Sequence, residues 1–115
     1  MMANKWKSRQ EQLRTVRPYD PAAYPEMFGL EPHDVIARKT LNIMVKSLEG
    51  YLYGKPLMFR PDDDLSEIIG IDDDEISEIV REVMSALGKS QPSSPALLPK
   101  IRTAQDLLGA LCSLQ

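Results

Sequence analysis

Apolar residues recur at helical spacing in two long segments of the chain, separated by steps of three or four residues. In the first segment these positions are Ala37, Leu41, Met44, Leu48 and Tyr51. In the second they are Ile76, Ile79, Val80, Val83, Met84 and Leu87. The pattern predicts one helix that begins near Pro32 and stops near Gly50 or Gly54, before Pro56, and another that begins around Asp73 or Asp74 and ends at Gly88. Val35 and Ile36 are expected to widen the apolar face of the first helix.

Two shorter helices are predicted in the second half of the chain. Leu65, Ile68, Ile69 and Ile71 form an apolar cluster, and Gly70 among them is expected to end a short helical turn. Thr103 to Asp106 has the form of a capping box, so a last helix is expected to begin there. One helical turn is expected at 96–98, inside a loop rich in proline and serine. No segment alternates apolar and polar residues, so the expected fold class is all-α.

The first 31 residues are expected to form an arm, and residues 32–115 a helical domain. The segment 4–16 can form a short helix, and Pro18, Pro21 and Pro25 interrupt regular structure after it. Tyr19, Tyr24 and Phe28 accompany these prolines. The mixture favours a strap that packs on a core.

Length and composition limit the function classes. A chain of 115 residues is expected to form one domain with one core, and 43% hydrophobic residues are enough for that core. Cys112 is the only cysteine and is expected to be a buried apolar residue. His33 is the only histidine and is distant in sequence, so neither a nucleophilic thiol nor a metal site is expected. No apolar segment approaches membrane-spanning length. We therefore expect a cytoplasmic, non-enzymatic protein without a cofactor.

Charge is unevenly distributed, although the net charge is only −3. The first 17 residues are basic through Lys5, Lys7, Arg9, Arg14 and Arg17. The start and exposed face of the second long helix form what we call the acidic ridge. Its members are Asp72, Asp73, Asp74, Glu75, Glu78 and Glu82. This segregation is the strongest electrostatic feature of the chain.

Each charged segment admits several interpretations. The acidic ridge is a solvated face, a docking surface for a basic partner, or a weak site for divalent cations. The consecutive aspartates lack the alternating ligand spacing of an EF-hand. The basic segment is a loosely packed terminus, a surface for nucleic acid, or a cover that folds back onto the acidic ridge.

The second half of the chain resembles the acyl carrier protein family. Asp64-Leu65 is followed by Ile68-Ile69-Gly70-Ile71-Asp72, then an acidic amphipathic helix, then Thr103-Ala104-Gln105-Asp106-Leu107. The resemblance extends over about residues 33–114. It implies a four-helix bundle whose acidic second helix docks on basic patches of partner enzymes.

The chain departs from that family at the residue that carries the phosphopantetheine arm. The position matching the family's serine is Asp73, which has no hydroxyl group, and Asp74 replaces the following leucine. The resemblance therefore implies the scaffold without the thioester chemistry, and so a non-catalytic interaction module. Alternatives are an atypical carrier modified on Ser66 or Ser77, and a structural or assembly subunit whose arm wraps a neighbour.

Overall fold

The computed structural model describes the backbone of residues 2–89 and 100–115, and side chains from residue 5 onward in those ranges. Its helices are α1 (Met2–Val16), a short 3-10 helix (Pro21–Ala23), α2 (Tyr24–Met27), α3 (Val35–Glu49), α4 (Leu65–Ile69), α5 (Asp73–Ala86) and α6 (Ala104–Ser113). The described residues contain no β-strand. The expected all-α class is confirmed for this part of the chain.

Local sequence explains where three of the helices begin. Asp64 accepts hydrogen bonds from the N–H groups of Ser66 and Glu67 at the start of α4. Capping boxes start the other two: Asp72 with Glu75 for α5, and Thr103 with Asp106 for α6. These side chains satisfy backbone N–H groups that have no partner within the helix.

Helices α3, α5 and α6 enclose the core, and α3 contacts both of the others. Their inward residues are aliphatic or methionine, and the loop residues Leu57, Met58 and Phe59 are buried with them. Tyr24 and Phe28 of the proline-containing strap also lie in this core, as expected. The Tyr24 hydroxyl accepts a hydrogen bond from the Phe59 N–H group at 2.8 Å.

A short backbone bridge joins the starts of α4 and α6. Asp64 and Thr103 pair in antiparallel fashion. The Leu65 N–H group donates to the Arg102 carbonyl oxygen at 3.0 Å, and the Ala104 N–H group donates to the Asp63 carbonyl oxygen at 3.1 Å. Because α4 is short, this bridge also fixes the turn that leads into α5.

Four side chains in α1 and just after it form hydrogen bonds with the rest of the chain. They follow one another at spacings of four, four and three residues. Trp6 Nε1 donates to the Ser66 carbonyl oxygen at 3.1 Å, and Gln10 Nε2 donates to that of Ile68 at 2.9 Å. These are carbonyls of α4, which α1 contacts directly. Gln10 Oε1 also accepts from the Tyr53 N–H group at 2.8 Å.

The other two side chains of this face are arginines. Arg14 donates to the carbonyl oxygens of Tyr53, at 2.6 Å, and of Lys55. Arg17 forms a bidentate ion pair with Asp63, in which both N–O distances are 2.8 Å. The two side chains of this pair are only 9% and 6% exposed. The observed packing brings residues assigned to the arm against residues assigned to the helical domain, and the division at residue 31 remains a prediction.

Several expectations about individual elements are confirmed, and others are wrong. The expected helices are found at 4–16, before Gly70, from Asp73 and after Thr103, and Gly70 ends α4 with a φ of +67°. The long helix does not begin at Pro32 but at Val35, after Asp34. The expected turn at 96–98 lies outside the described residues. No helix in the described ranges is both long and apolar enough to cross a membrane.

Val35 and Ile36 do not widen the buried face of α3. They are 70% and 63% exposed, because the first turn of α3 borders an open groove with Cys112 and Gln115 instead of the core. Cys112, expected to be buried, is exposed for the same reason. It lies near the end of α6, on the side that faces this groove.

Candidate docking surface

The acidic ridge occupies the start and the solvent-facing side of α5. The opposite side of the helix is buried in the core through Ile76, Ile79, Val80, Val83 and Met84. The periodicity of those core residues turns the acidic side chains outward. Of the ridge residues Glu75 is half-buried, and the other five are exposed. The structure therefore exposes five of the six predicted docking residues along α5, with Asp73 on the side of the groove described below and Asp74, Glu78 and Glu82 in one row.

Two members of the ridge also stabilise the helix. The Glu75 N–H group donates to Asp72 Oδ1 at 2.9 Å, and the Asp72 N–H group donates to Glu75 Oε1 at 3.3 Å. Substituting either residue would disturb the start of α5. Experiments on docking should therefore use the other members of the ridge.

The remaining four, Asp73, Asp74, Glu78 and Glu82, form no side-chain hydrogen bond or ion pair with another residue in the described ranges. Asp74, Glu78 and Glu82 are spaced four residues apart, so they form one row along the helix. Like charges at this spacing destabilise a helix by about 0.2–0.5 kcal/mol per pair. Repulsion within the row therefore opposes the stability of α5, although Asp74 lies in the first turn, where the helix dipole favours a negative charge.

Tyr51 packs against the core, as its place on the apolar face of α3 predicts, and it also lies near the acidic ridge, which the sequence did not indicate. It follows the end of that helix and is only partly buried. Burial raises the pKa of its hydroxyl, and the negative charges of Glu82, Glu75, Glu78 and Asp72 raise it further. The tyrosine therefore lies within the field of the ridge. Only the packing of α3 against α5 places it there.

An open groove of about 540 Å³ lies at the beginning of the ridge. Asp72 and Asp73 line it on the side of α5, and Ile71, Ile76 and Ile101 provide apolar surface. Trp6 of α1 forms part of the wall of this groove. A Cβ atom placed on Gly70 would lie only 2.6 Å from Trp6 Cε2, so the indole ring packs directly over this glycine.

Cations also line the groove, but one of them is paired. Arg102 Nε donates to Asp64 Oδ2 at 3.2 Å. Partial burial of Asp64 acts to raise its pKa, but the hydrogen bonds from Arg102, Glu67 and Ser66 outweigh this effect and lower the pKa. Lys100 is the other cation lining the groove.

The resemblance to acyl carrier proteins singled out three residues, and two of them, Ser66 and Asp73, line this groove. Asp73, which the resemblance aligns with the family's modified serine, is the first residue of α5 and is exposed. Ser66 is the second residue of α4 and lines the groove. Ser77 is half-buried in the second turn of α5. Neither serine occupies the first position of α5.

The basic segment is divided by its packing. Arg14 and Arg17 are bound to backbone carbonyls and to Asp63, whereas Lys5, Lys7 and Arg9 are exposed. Only these last three remain available for an external acidic ligand. In the described ranges no ion pair joins the basic segment to the acidic ridge.

Groups suited to metals or nucleophilic chemistry are sparse in the part of the chain that the structure describes. It contains no cluster of three histidine, cysteine or acidic side chains arranged to hold a metal ion. His33 and Cys112, far apart in sequence, line one groove. Partial burial raises the pKa of the Cys112 thiol, as does the nearby Asp34 carboxylate. These surroundings favour the protonated thiol, which is the less reactive form.

Comparison with known proteins adds no relative to this description: no family model, curated protein or solved structure matches the chain significantly.

Proposed function

We propose that this protein is a non-catalytic interaction module that binds a basic protein partner through its acidic ridge. The scaffold that we propose is a helical bundle of the acyl-carrier type without a prosthetic group. The observation that carries the proposal is the row of Asp74, Glu78 and Glu82, which is exposed, unneutralised by any described residue, and unfavourable for the helix that bears it.

Complementary charge suits this role. A negative surface attracts a basic partner over about a Debye length, and it raises the association rate and the specificity more than the affinity. Tyr51 at the edge of the ridge adds an aromatic side chain of a type enriched in protein interfaces. An arginine of the partner could stack on its ring while pairing with a neighbouring carboxylate.

The character of Asp73 supports binding over carrier chemistry. A carboxylate cannot accept a phosphopantetheine group by the phosphodiester chemistry that uses a serine hydroxyl. Incubation with a broad-specificity phosphopantetheinyl transferase should leave the intact mass unchanged. A gain of the arm's mass on Ser66 or Ser77 would instead support an atypical carrier.

The packing of the N-terminal segment supports a module over an assembly subunit. Trp6, Gln10 and Arg17 hold α1 on the chain's own α4 and loops. An arm that wraps a neighbouring subunit would not need these contacts within its own chain.

Capture of partners from native lysate tests the proposal. Immobilised wild-type protein is compared with a Glu78→Lys/Glu82→Lys variant, and bound proteins are identified by mass spectrometry. A Glu26→Lys/Glu31→Lys variant is the matched control, because it changes the net charge equally at exposed residues outside the ridge. We expect the ridge variant to capture the basic partner at least several-fold less well than the control. Equal capture by the two variants would refute the proposal.

A further inference from the structure

We infer that the first turns of α1 are an intramolecular substitute for part of the partner, and that the partner displaces Trp6 from its position over Gly70, at the wall of the groove beside the ridge. The inference rests on the proposed function and specifies the partner's chemistry. The displacing segment carries an aromatic side chain between basic ones.

A residue of the chain itself, Trp6, packs at the wall of the groove. Trp6 lies between Lys5 and Lys7, both of which are exposed. Its ring packs over Gly70, next to the groove residues Asp72 and Asp73. The chain itself therefore places a basic–aromatic–basic segment at one end of an acidic surface. An external segment with the same pattern would meet the same apolar and acidic surfaces.

Trp6 and Gln10 hold the first turns of α1 to different degrees. Trp6 is only partly buried, and in the described ranges its hydrogen bond to the Ser66 carbonyl oxygen is the one polar contact that joins residues 5–9 to the rest of the chain. Such a hydrogen bond has a net value of about 0.5–1.5 kcal/mol. Gln10 is fully buried and bonds to Ile68 and Tyr53, and the buried Arg17–Asp63 pair holds the end of the segment. The turn that carries Trp6 can therefore detach while the rest of α1 remains fixed.

The groove adjoins the start of the ridge. Asp72 and Asp73 belong both to the ridge and to the lining of the groove. A partner bound along Asp74, Glu78 and Glu82 would reach the groove at the N-terminal end of α5. Because Trp6 covers Gly70 there, the apparent affinity is lowered in proportion to the fraction of molecules in which this surface is open.

Direct binding of a probe peptide tests the inference. The probe is a dye-labelled peptide of residues 3–9, Ala-Asn-Lys-Trp-Lys-Ser-Arg, and binding is followed by fluorescence anisotropy. The full-length Trp6→Ala protein should bind it at least about tenfold more tightly than wild type, if the wild-type groove is open in about a tenth of molecules or fewer. Tryptophan fluorescence provides a second assay with an unlabelled probe. Trp6 is the chain's only tryptophan, so in a mixture with the Trp6→Ala protein all tryptophan emission comes from the probe. This emission should shift to the blue on binding.

Matched variants separate the groove from general charge. In the Trp6→Ala background, Asp73→Asn should weaken probe binding, whereas Glu82→Gln, outside the groove, should leave it almost unchanged. A probe with alanine in place of tryptophan should not bind measurably. Urea unfolding verifies that each variant is folded. Should Trp6→Ala fail to fold, Trp6→Phe serves instead, because it retains a ring over Gly70 but loses the bond to Ser66, and it should show an intermediate gain in affinity.

The outcomes distinguish this inference from the proposed function. Equal probe affinity for wild type and the folded Trp6 variant, or no effect of Asp73→Asn, would overturn the inference. The ridge could still bind its partner in the lysate experiment. Conversely, tighter probe binding to the Trp6 variant together with unchanged lysate capture by Glu78→Lys/Glu82→Lys would support the groove and refute the ridge as a docking surface.

Discussion

Replacing Glu78 with glutamine is expected to stabilise the protein. The side chain is exposed in the middle of α5, so the substitution leaves the core and both ends of the helix unchanged. Glutamate and glutamine have similar intrinsic helix propensities. The change therefore isolates the charge of one member of the acidic ridge.

The magnitude follows from the neighbours of Glu78 on the helix surface. At separations of three or four residues these are Asp74, Glu75, Arg81 and Glu82. Three of them are acidic and one is basic, so like-charge pairs outnumber opposite-charge pairs by two. At about 0.2–0.5 kcal/mol per pair, Glu78→Gln should raise the free energy of unfolding by about 0.4–1 kcal/mol. Glu78→Lys should raise it by about twice as much, because each repulsion becomes an attraction.

Urea unfolding followed by circular dichroism measures the effect at low ionic strength. The gain should nearly vanish at about 1 M salt, where the Debye length is only about 3 Å. Glu31→Gln is the control, because it removes one negative charge from an exposed loop position. Its effect on stability should be smaller than that of Glu78→Gln.

A loss of stability in Glu78→Gln, or a gain that persists in high salt, would refute the electrostatic account of the ridge. The proposed function predicts two opposite effects of the same substitutions. The same charge reversals that weaken partner capture should make the isolated protein more stable. A residue retained only for solubility or helix stability would not show that opposition.

Two further predictions concern residues that stabilise the fold outside the ridge. Arg17→Met should lower the free energy of unfolding by about 3–5 kcal/mol, because it leaves Asp63 buried without its positive partner. In urea unfolding, adding Asp63→Asn to this variant should recover part of the loss. A loss below about 1 kcal/mol in Arg17→Met would contradict a buried pair. Asp106→Asn should reduce the loss of stability at acid pH. Hydrogen bonds, first from the Thr103 N–H group, lower the pKa of Asp106 below 3.8 despite slight desolvation. The wild type therefore has this stabilisation above pH 3.8 and loses it as the pH falls through the lowered pKa. Unfolding measured from neutral pH to below pH 3.8 should show a smaller loss in the variant, and parallel profiles would contradict the assignment.

The sequence by itself determined most of the helices and the sharpest of their ends. The capping pairs Asp72–Glu75 and Thr103–Asp106 are interactions between residues three apart, so they could be recognised without knowledge of the fold. The outward position of the acidic ridge follows from the same local geometry, since helical periodicity separates its residues from the core face.

Contacts between distant segments were decided only by the tertiary structure. Trp6 meets Ser66 across 60 positions of the chain, and Arg17 meets Asp63 across 46. The same holds for the closeness of Tyr51 to the ridge and for the exposure of Cys112 beside α3. Such contacts depend on how several helices fill one core together, and no local pattern of polar and apolar residues specifies that arrangement.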